Sequence, residues 1–62
     1  RLANLTDADL RGANLRFANL QNANLTRANL KFANLLYAND LYANLKGADY
    51  EGTTWTNGSI IG

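Results

Sequence analysis

The sequence predicts an all-β fold, a β-solenoid whose coils stack around one column of inward side chains, and three observations predict it. Written in fives from Ala3, the chain reads ANLTD, ADLRG, ANLRF, ANLQN, ANLTR, ANLKF, ANLLY, ANDLY, ANLKG, ADYEG, TTWTN, GSIIG, with Ala opening every unit from Ala3 to Ala48. Leu holds the third position at Leu5, Leu10, Leu15, Leu20, Leu25, Leu30, Leu35 and Leu45, and Asn or Asp holds the second position of the same run. Third, a period of five suits neither standard element. On an α-helix five residues advance about 500°, which scatters successive Leu residues around the cylinder. On a straight strand an odd period sends them to alternate faces. Within one unit, however, Ala and Leu are two apart and share a face of an extended segment. The two residues that follow are free to turn the chain. A turn of the same sense in every unit points each Ala and Leu at one axis, with Ala filling the narrow space beside the corner. A leucine-rich repeat, the nearest rival, needs about 20 to 29 residues per unit with a return segment, and no such longer period is present.

The number of sides follows from the columns that stacking creates. With four units per coil, residues 20 apart stack: Asp7 against Arg27, Phe17 against Tyr37, Lys31 against Glu51 and Leu41 against Ile61. These columns are mostly complementary, although Arg11 then lies under Lys31. With three units per coil, Arg16, Lys31 and Lys46 form one like-charged column. Four sides are favoured.

Ten tandem Ala-(Asn/Asp)-(Leu or its replacement)-x-x units resemble the pentapeptide-repeat family, strongly over residues 3–52 and loosely over 53–62. That resemblance implies a right-handed quadrilateral β-helix of about three coils of four pentapeptides. It places the eight Leu residues inward as a core column, with Asp40, Tyr50, Trp55 and Ile60 in the same slot. It also places Asn4, Asn14, Asn19, Asn24, Asn29, Asn34, Asn39 and Asn44 outward, where short amides bond each other and nearby backbone. The whole chain, 1–62, is then one repeat domain, with the divergent units 53–62 expected to form a C-terminal cap through Trp55, Ile60 and Ile61, helped by Gly58 and Gly62. A stack this short exposes core and backbone edge at both ends. Together with the absence of Met, even at position 1, this leads to the expectation that the chain is a processed product or a length of a longer rod, and that self-association or a flanking segment covers its ends.

Two sets of residues depart from the pattern. Asp40 is an irregular core position, a carboxylate in the Leu slot between Leu20 and Ile60. A local distortion is expected there, either with Asp40 accepting backbone N–H bonds at a corner or with Asp40 turned outward and Leu41 compensating. The second set is a candidate interaction patch. In the four-sided register Phe17, Leu36, Tyr37, Leu41, Tyr42 and Ile61 fall on two adjoining faces, with Phe32 at a neighbouring corner, and such a patch marks a contact surface.

The remaining chemistry is sparse. The chain has neither Cys nor His, so disulfides, thiolate metal sites and the commonest neutral-pH bases are excluded. No nucleophile with a base, phosphate-cradling loop or cluster of metal ligands stands out, so no catalytic residue, cofactor or metal is assigned and an enzyme is not expected. A net charge of +1 does not suit a nucleic-acid grip, no apolar run approaches a membrane span, no small-molecule substrate is evident, and no targeting signal is present. Matches to the N-x-S/T pattern at Asn4, Asn24 and Asn57 are by-products of the repeat. Ice binding would need an array of aligned Thr, and only Thr6 and Thr26 align. The expected role is a non-catalytic scaffold or protein-interaction module with a protein partner or a second copy. The family's DNA-imitating topoisomerase binders are the alternative that the resemblance brings, set against mixed outward charges and short length.

Overall fold

A computed structural model describes residues 3–61 of the chain. Parallel bridges join Asn4 to Asn24, Asp9 to Asn29, Asn14 to Asn34, Asn19 to Asn39, Asn24 to Asn44, Asn29 to Asp49 and Asn34 to Thr54. Every one of these pairs is 20 residues apart, so four pentapeptides make a coil and the fold is a right-handed quadrilateral β-helix. The first side carries residues 3–7, 23–27 and 43–47, and the second 8–12, 28–32 and 48–52. Residues 13–17, 33–37 and 53–57 make the third, and 18–22 and 38–42 the fourth.

One unit shows why the repeat takes this form, because all five of its N–H groups find partners. The Ala23 N–H donates to Leu20 O at 2.9 Å, closing the preceding corner. Asn24 N–H donates down to Ala3 O at 2.8 Å, while Leu25 and Arg27 N–H donate up to Asn44 O and Lys46 O at 2.7 and 2.9 Å. The remaining N–H, on Thr26, points away from both neighbouring coils and is taken by Asn24 Oδ1 at 3.1 Å. The same local bond recurs from Asn4 to Asn44 and at Asp9 and Asp49. The second position therefore needs a short side chain whose oxygen accepts from the residue two places on. Of the expected amide bonds, those to nearby backbone are what fix Asn and Asp there, made within their own unit.

Each corner places its second turn residue at positive φ, as a type II turn requires. Gly12, Gly47 and Gly52 meet this condition without strain. Asp7, Phe17, Asn22, Arg27, Phe32, Tyr37 and Tyr42 hold φ between 59 and 64° despite carrying a Cβ. For a bulky residue that conformation costs about 1 kcal/mol or more.

The core is graded along the axis. Leu20, Leu25, Leu30 and Leu35 with Ala23, Ala28, Ala33 and Ala38 are buried in the middle of the stack, and Leu5, Leu10, Leu15 and Leu45 of the outer coils pack half-buried against them. Thr53 fills an Ala slot with no exposure, and its hydroxyl donates to Leu30 O at 2.6 Å. Tyr50 and Trp55 occupy Leu slots of the last coil and meet edge to face, with centroids 6.0 Å apart.

The twelfth unit departs from the expected register. Trp55 O accepts from Gly58 N–H at 2.9 Å, Trp55 N–H donates to Ser59 O at 2.7 Å, and Thr54 forms an antiparallel bridge with Ile60. Gly58 at φ +89 supplies the left-handed residue after the turn. This is a three-residue hairpin loop, Thr56 to Gly58, of the kind that closes with a residue in the left-handed conformation. The chain thus doubles back before starting a further side. Ile60, expected inward, is 72% exposed, and Ile61 does not stack on Leu41. Ile61 instead pairs through its backbone with Thr53 and Gly52 on the third and second sides.

Candidate interaction surface

Outward residues divide the rod into two halves. Asp7, Asp9, Arg11, Arg27, Lys31, Lys46, Asp49 and Glu51 all lie on the first and second sides, whereas Arg16 is the one outward charge among the described residues of the third and fourth. Ion pairs knit the charged half. Arg27 meets Asp7 of the coil below through two bonds of 2.8 and 3.3 Å, and Arg11 meets Asp9 of its own unit through two bonds of 2.8 Å. These guanidinium hydrogen bonds hold the carboxyls of Asp7 and Asp9 below their ordinary value and raise both arginines. Lys31 reaches Asp49 at 3.5 Å, not Glu51 as the column arithmetic suggests, because the lysine extends back along the side toward the second position of the coil above. With Arg11 and Lys31 each beside an acid, their expected repulsion is relieved.

The other half carries four of the seven exposed large hydrophobic residues among those described. Phe17 and Tyr37 stack at the corner between the third and fourth sides, with centroids 5.4 Å apart and planes inclined by 34°. Leu41 on the fourth side is 50% exposed, and Tyr42 at the next corner is 77% exposed. Gln21, Asn22 and Asn39 surround them, so this surface is uncharged and partly apolar.

The expected patch is smaller than the sequence suggests. Ile61 leaves it with the hairpin and lines a shallow hollow of about 410 Å³ with Ala48, Asp49, Tyr50 and Glu51 on another side. Leu36 is half-buried, since Gly58 of the hairpin turn lies over its Cδ1. Phe32 is exposed at the corner between the second and third sides and has a packing role of its own. Its ring lies against Gly52, where an added Cβ would come within 2.6 Å of the ring carbons. Phe17, Tyr37, Leu41 and Tyr42 are what the structure brings together.

Asp40 is regular where distortion is expected. Its neighbours keep the ladder, with Leu20 N–H to Asn39 O at 2.8 Å and Asn39 N–H to Ala18 O at 2.9 Å, and its corner closes through Ala43 N–H to Asp40 O at 2.9 Å. The side chain therefore stays in the inward slot, half-buried at the last coil edge, and Leu41 does not replace it in the core. No hydrogen bond or ion pair joins its carboxylate to any described residue.

Among the described residues no group of three or more Asp and Glu is placed to hold a metal ion, and no helix is long and apolar enough to cross a membrane. Thr6 and Thr26 donate their hydroxyls to Asn4 and Asn24 at 2.7 and 2.5 Å, within the scaffold.

A four-sided solenoid of Ala-Asn-Leu-x-x units with one charged and one uncharged half is thus a repeat protein whose individuality lies in its corner residues. The chain belongs to the pentapeptide-repeat family, whose model matches eight copies over residues 3–39. Among solved structures it is similar to HetL, a pentapeptide repeat protein involved in heterocyst differentiation regulation from the cyanobacterium Nostoc sp. strain PCC 7120. The two are 41% identical with a TM-score of 0.91, over 94% of this chain and 28% of HetL, so the chain spans little more than a quarter of that protein's length. No curated protein sequence matches it significantly.

Proposed function

We propose that the chain is a non-catalytic protein-interaction module that docks through Phe17, Tyr37, Leu41 and Tyr42. The observation that carries this reading is the division of the rod. Charges gather on two sides, six of the eight described there in ion pairs, and the adjoining sides hold exposed aromatic residues that the fold itself does not favour. Three of the four dock residues are aromatics at positive φ, and glycine would serve the turn better. Phe17 and Tyr37 recover part of that cost by stacking, whereas Tyr42 has no ring partner among the described residues. Exposed, rigidly mounted aromatic rings are the residues that most often anchor protein interfaces. HetL's described involvement in regulation is consistent with such a role.

The pair Tyr37→Lys and Leu41→Lys tests the reading. Both side chains are at least half exposed, so the melting temperature is expected to stay within a few degrees of wild type. Association should be lost, as measured by sedimentation velocity of the chain alone and by recovery of its partners on the immobilised chain. Unchanged sedimentation together with unchanged recovery would discard the docking face.

A further inference from the structure

The two ends of the solenoid are complementary, and one residue stands between them. At the C-terminal rim the N–H groups of Asp40, Tyr42, Leu45, Gly47 and Tyr50, and the carbonyls of Ala38, Ala43 and Ala48, have no backbone partner among the described residues. At the N-terminal rim the carbonyls of Asn4, Thr6, Asp9, Arg11, Asn14 and Arg16 and the N–H groups of Asn4, Asp9 and Asn14 have no backbone partner among the described residues either. Between successive coils of this chain these same positions bond to each other: third- and fifth-position N–H groups donate up to second- and fourth-position carbonyls, and second-position N–H groups donate down to first-position carbonyls. A second copy set head to tail would continue the ladder in register. Such a contact is heterologous and open-ended, so it grows into filaments unless something stops it.

Two features oppose that growth. The hairpin strand around Ile61 already occupies the rim at Gly52 and Thr53. Over the remaining, open half, the inward slot holds Asp40, which is half-buried and whose carboxylate has no partner among the described residues. A further coil would shut that carboxylate between Leu20 and an apolar slot of the incoming copy, with nothing to pair it. We propose that Asp40 is an edge guard, which keeps the open half of the C-terminal rim from accepting the N-terminal rim of a second copy. Inward-pointing charge at a sheet edge is a known physical means of blocking edge-to-edge pairing. The break in an otherwise unbroken run of Leu then has a use, and the regular backbone around Asp40 fits it, since a guard must leave the coil intact.

The test replaces Asp40 in the full chain that also carries Tyr37→Lys and Leu41→Lys, so that the docking face does not contribute. Asp40→Leu restores the repeat and is expected to fold, which circular dichroism verifies. Sedimentation velocity over a concentration series is expected to show head-to-tail assembly at least about tenfold tighter than in the Asp40 parent. Asp40→Lys, which keeps a charge in the slot, is expected to sediment as the parent does. Equal sedimentation of Asp40→Leu and the parent at every concentration would overturn the proposal, as would assembly of Asp40→Lys to the same extent as Asp40→Leu. Failure here leaves the docking reading standing, because that reading is measured with Asp40 in place.

Discussion

Leu30→Ala is expected to destabilise the protein by about 3 kcal/mol, the middle of the range for emptying a fully buried Leu site. Leu30 has no exposed surface, lies in the middle coil between the Leu10 slot below and the Tyr50 slot above, and belongs to the buried Leu and Ala cluster of the axis. A solenoid held on several sides by backbone ladders collapses poorly into a vacated slot, so most of the cavity persists. For a domain of this size the change corresponds to a fall of roughly 12 to 24 °C in melting temperature, readable by thermal denaturation followed by circular dichroism. Leu5→Ala supplies the comparison. Leu5 is half-buried on the outer coil, and its removal is expected to cost about half as much. Equal losses at the two positions would show that the core is not graded along the axis.

Ala28→Leu is expected to destabilise by about 1 to 3 kcal/mol even though it adds apolar surface. Ala28 is fully buried beside a corner, with Ala8 below and Ala48 above. Its N–H is fixed to Leu25 O at 2.9 Å, and the ladder bonds on either side hold the wall in place. The added carbons must enter space that Leu25 and Leu30 already fill. Urea denaturation of Ala28→Leu beside wild type measures the loss. A variant as stable as wild type would mean that the Ala slots have spare volume, and the use of Ala in ten consecutive units would need another cause.

Much of the fold is legible in the sequence because the period of five carries it. Ala3 to Ala48 and the Leu slots determine which residues face the axis, and the sign pattern of Asp7 with Arg27 and the pairing of Phe17 with Tyr37 select four sides. The outcomes that differ have local causes. Glu51 was the arithmetic partner of Lys31, but side-chain reach, not register, brings Asp49 to it. The count of five puts Ile60 and Ile61 in a twelfth unit, whereas the chain obeys the Asn57-Gly58 turn, which ends the repeat after the eleventh. That turn signal is in the sequence and is stronger than the loose match of GSIIG to the repeat. Its consequences reach the candidate surface, since the hairpin removes Ile61 from the patch and lays Gly58 over Leu36. Thr53 gives no sign in the sequence of being a buried, satisfied hydroxyl, because that depends on the free carbonyl lone pair of Leu30 beneath it. The separation of charged from uncharged sides is, by contrast, readable once the register of 20 is applied to every outward residue and not to the apolar ones alone.

Corner residues are where the fold and the proposed docking role make opposite demands. The turn asks for glycine, and four of the corner positions hold Phe or Tyr at a cost in backbone energy. At Phe32 the ring covers Gly52, and at Phe17 and Tyr37 the rings cover each other, so packing offsets the cost. Tyr42 is the position where the two demands separate most cleanly, which makes Tyr42→Gly the most direct measurement. Stability and association are determined on the same preparation, the first by thermal denaturation and the second by sedimentation velocity and recovery of partners. A docking role predicts a melting temperature equal to or a few degrees above that of wild type, as relief of about 1 kcal/mol of turn strain would give, together with weakened association. A melting temperature several degrees lower with association unchanged would show that the ring serves the fold, and would contradict the assignment of this face to a partner.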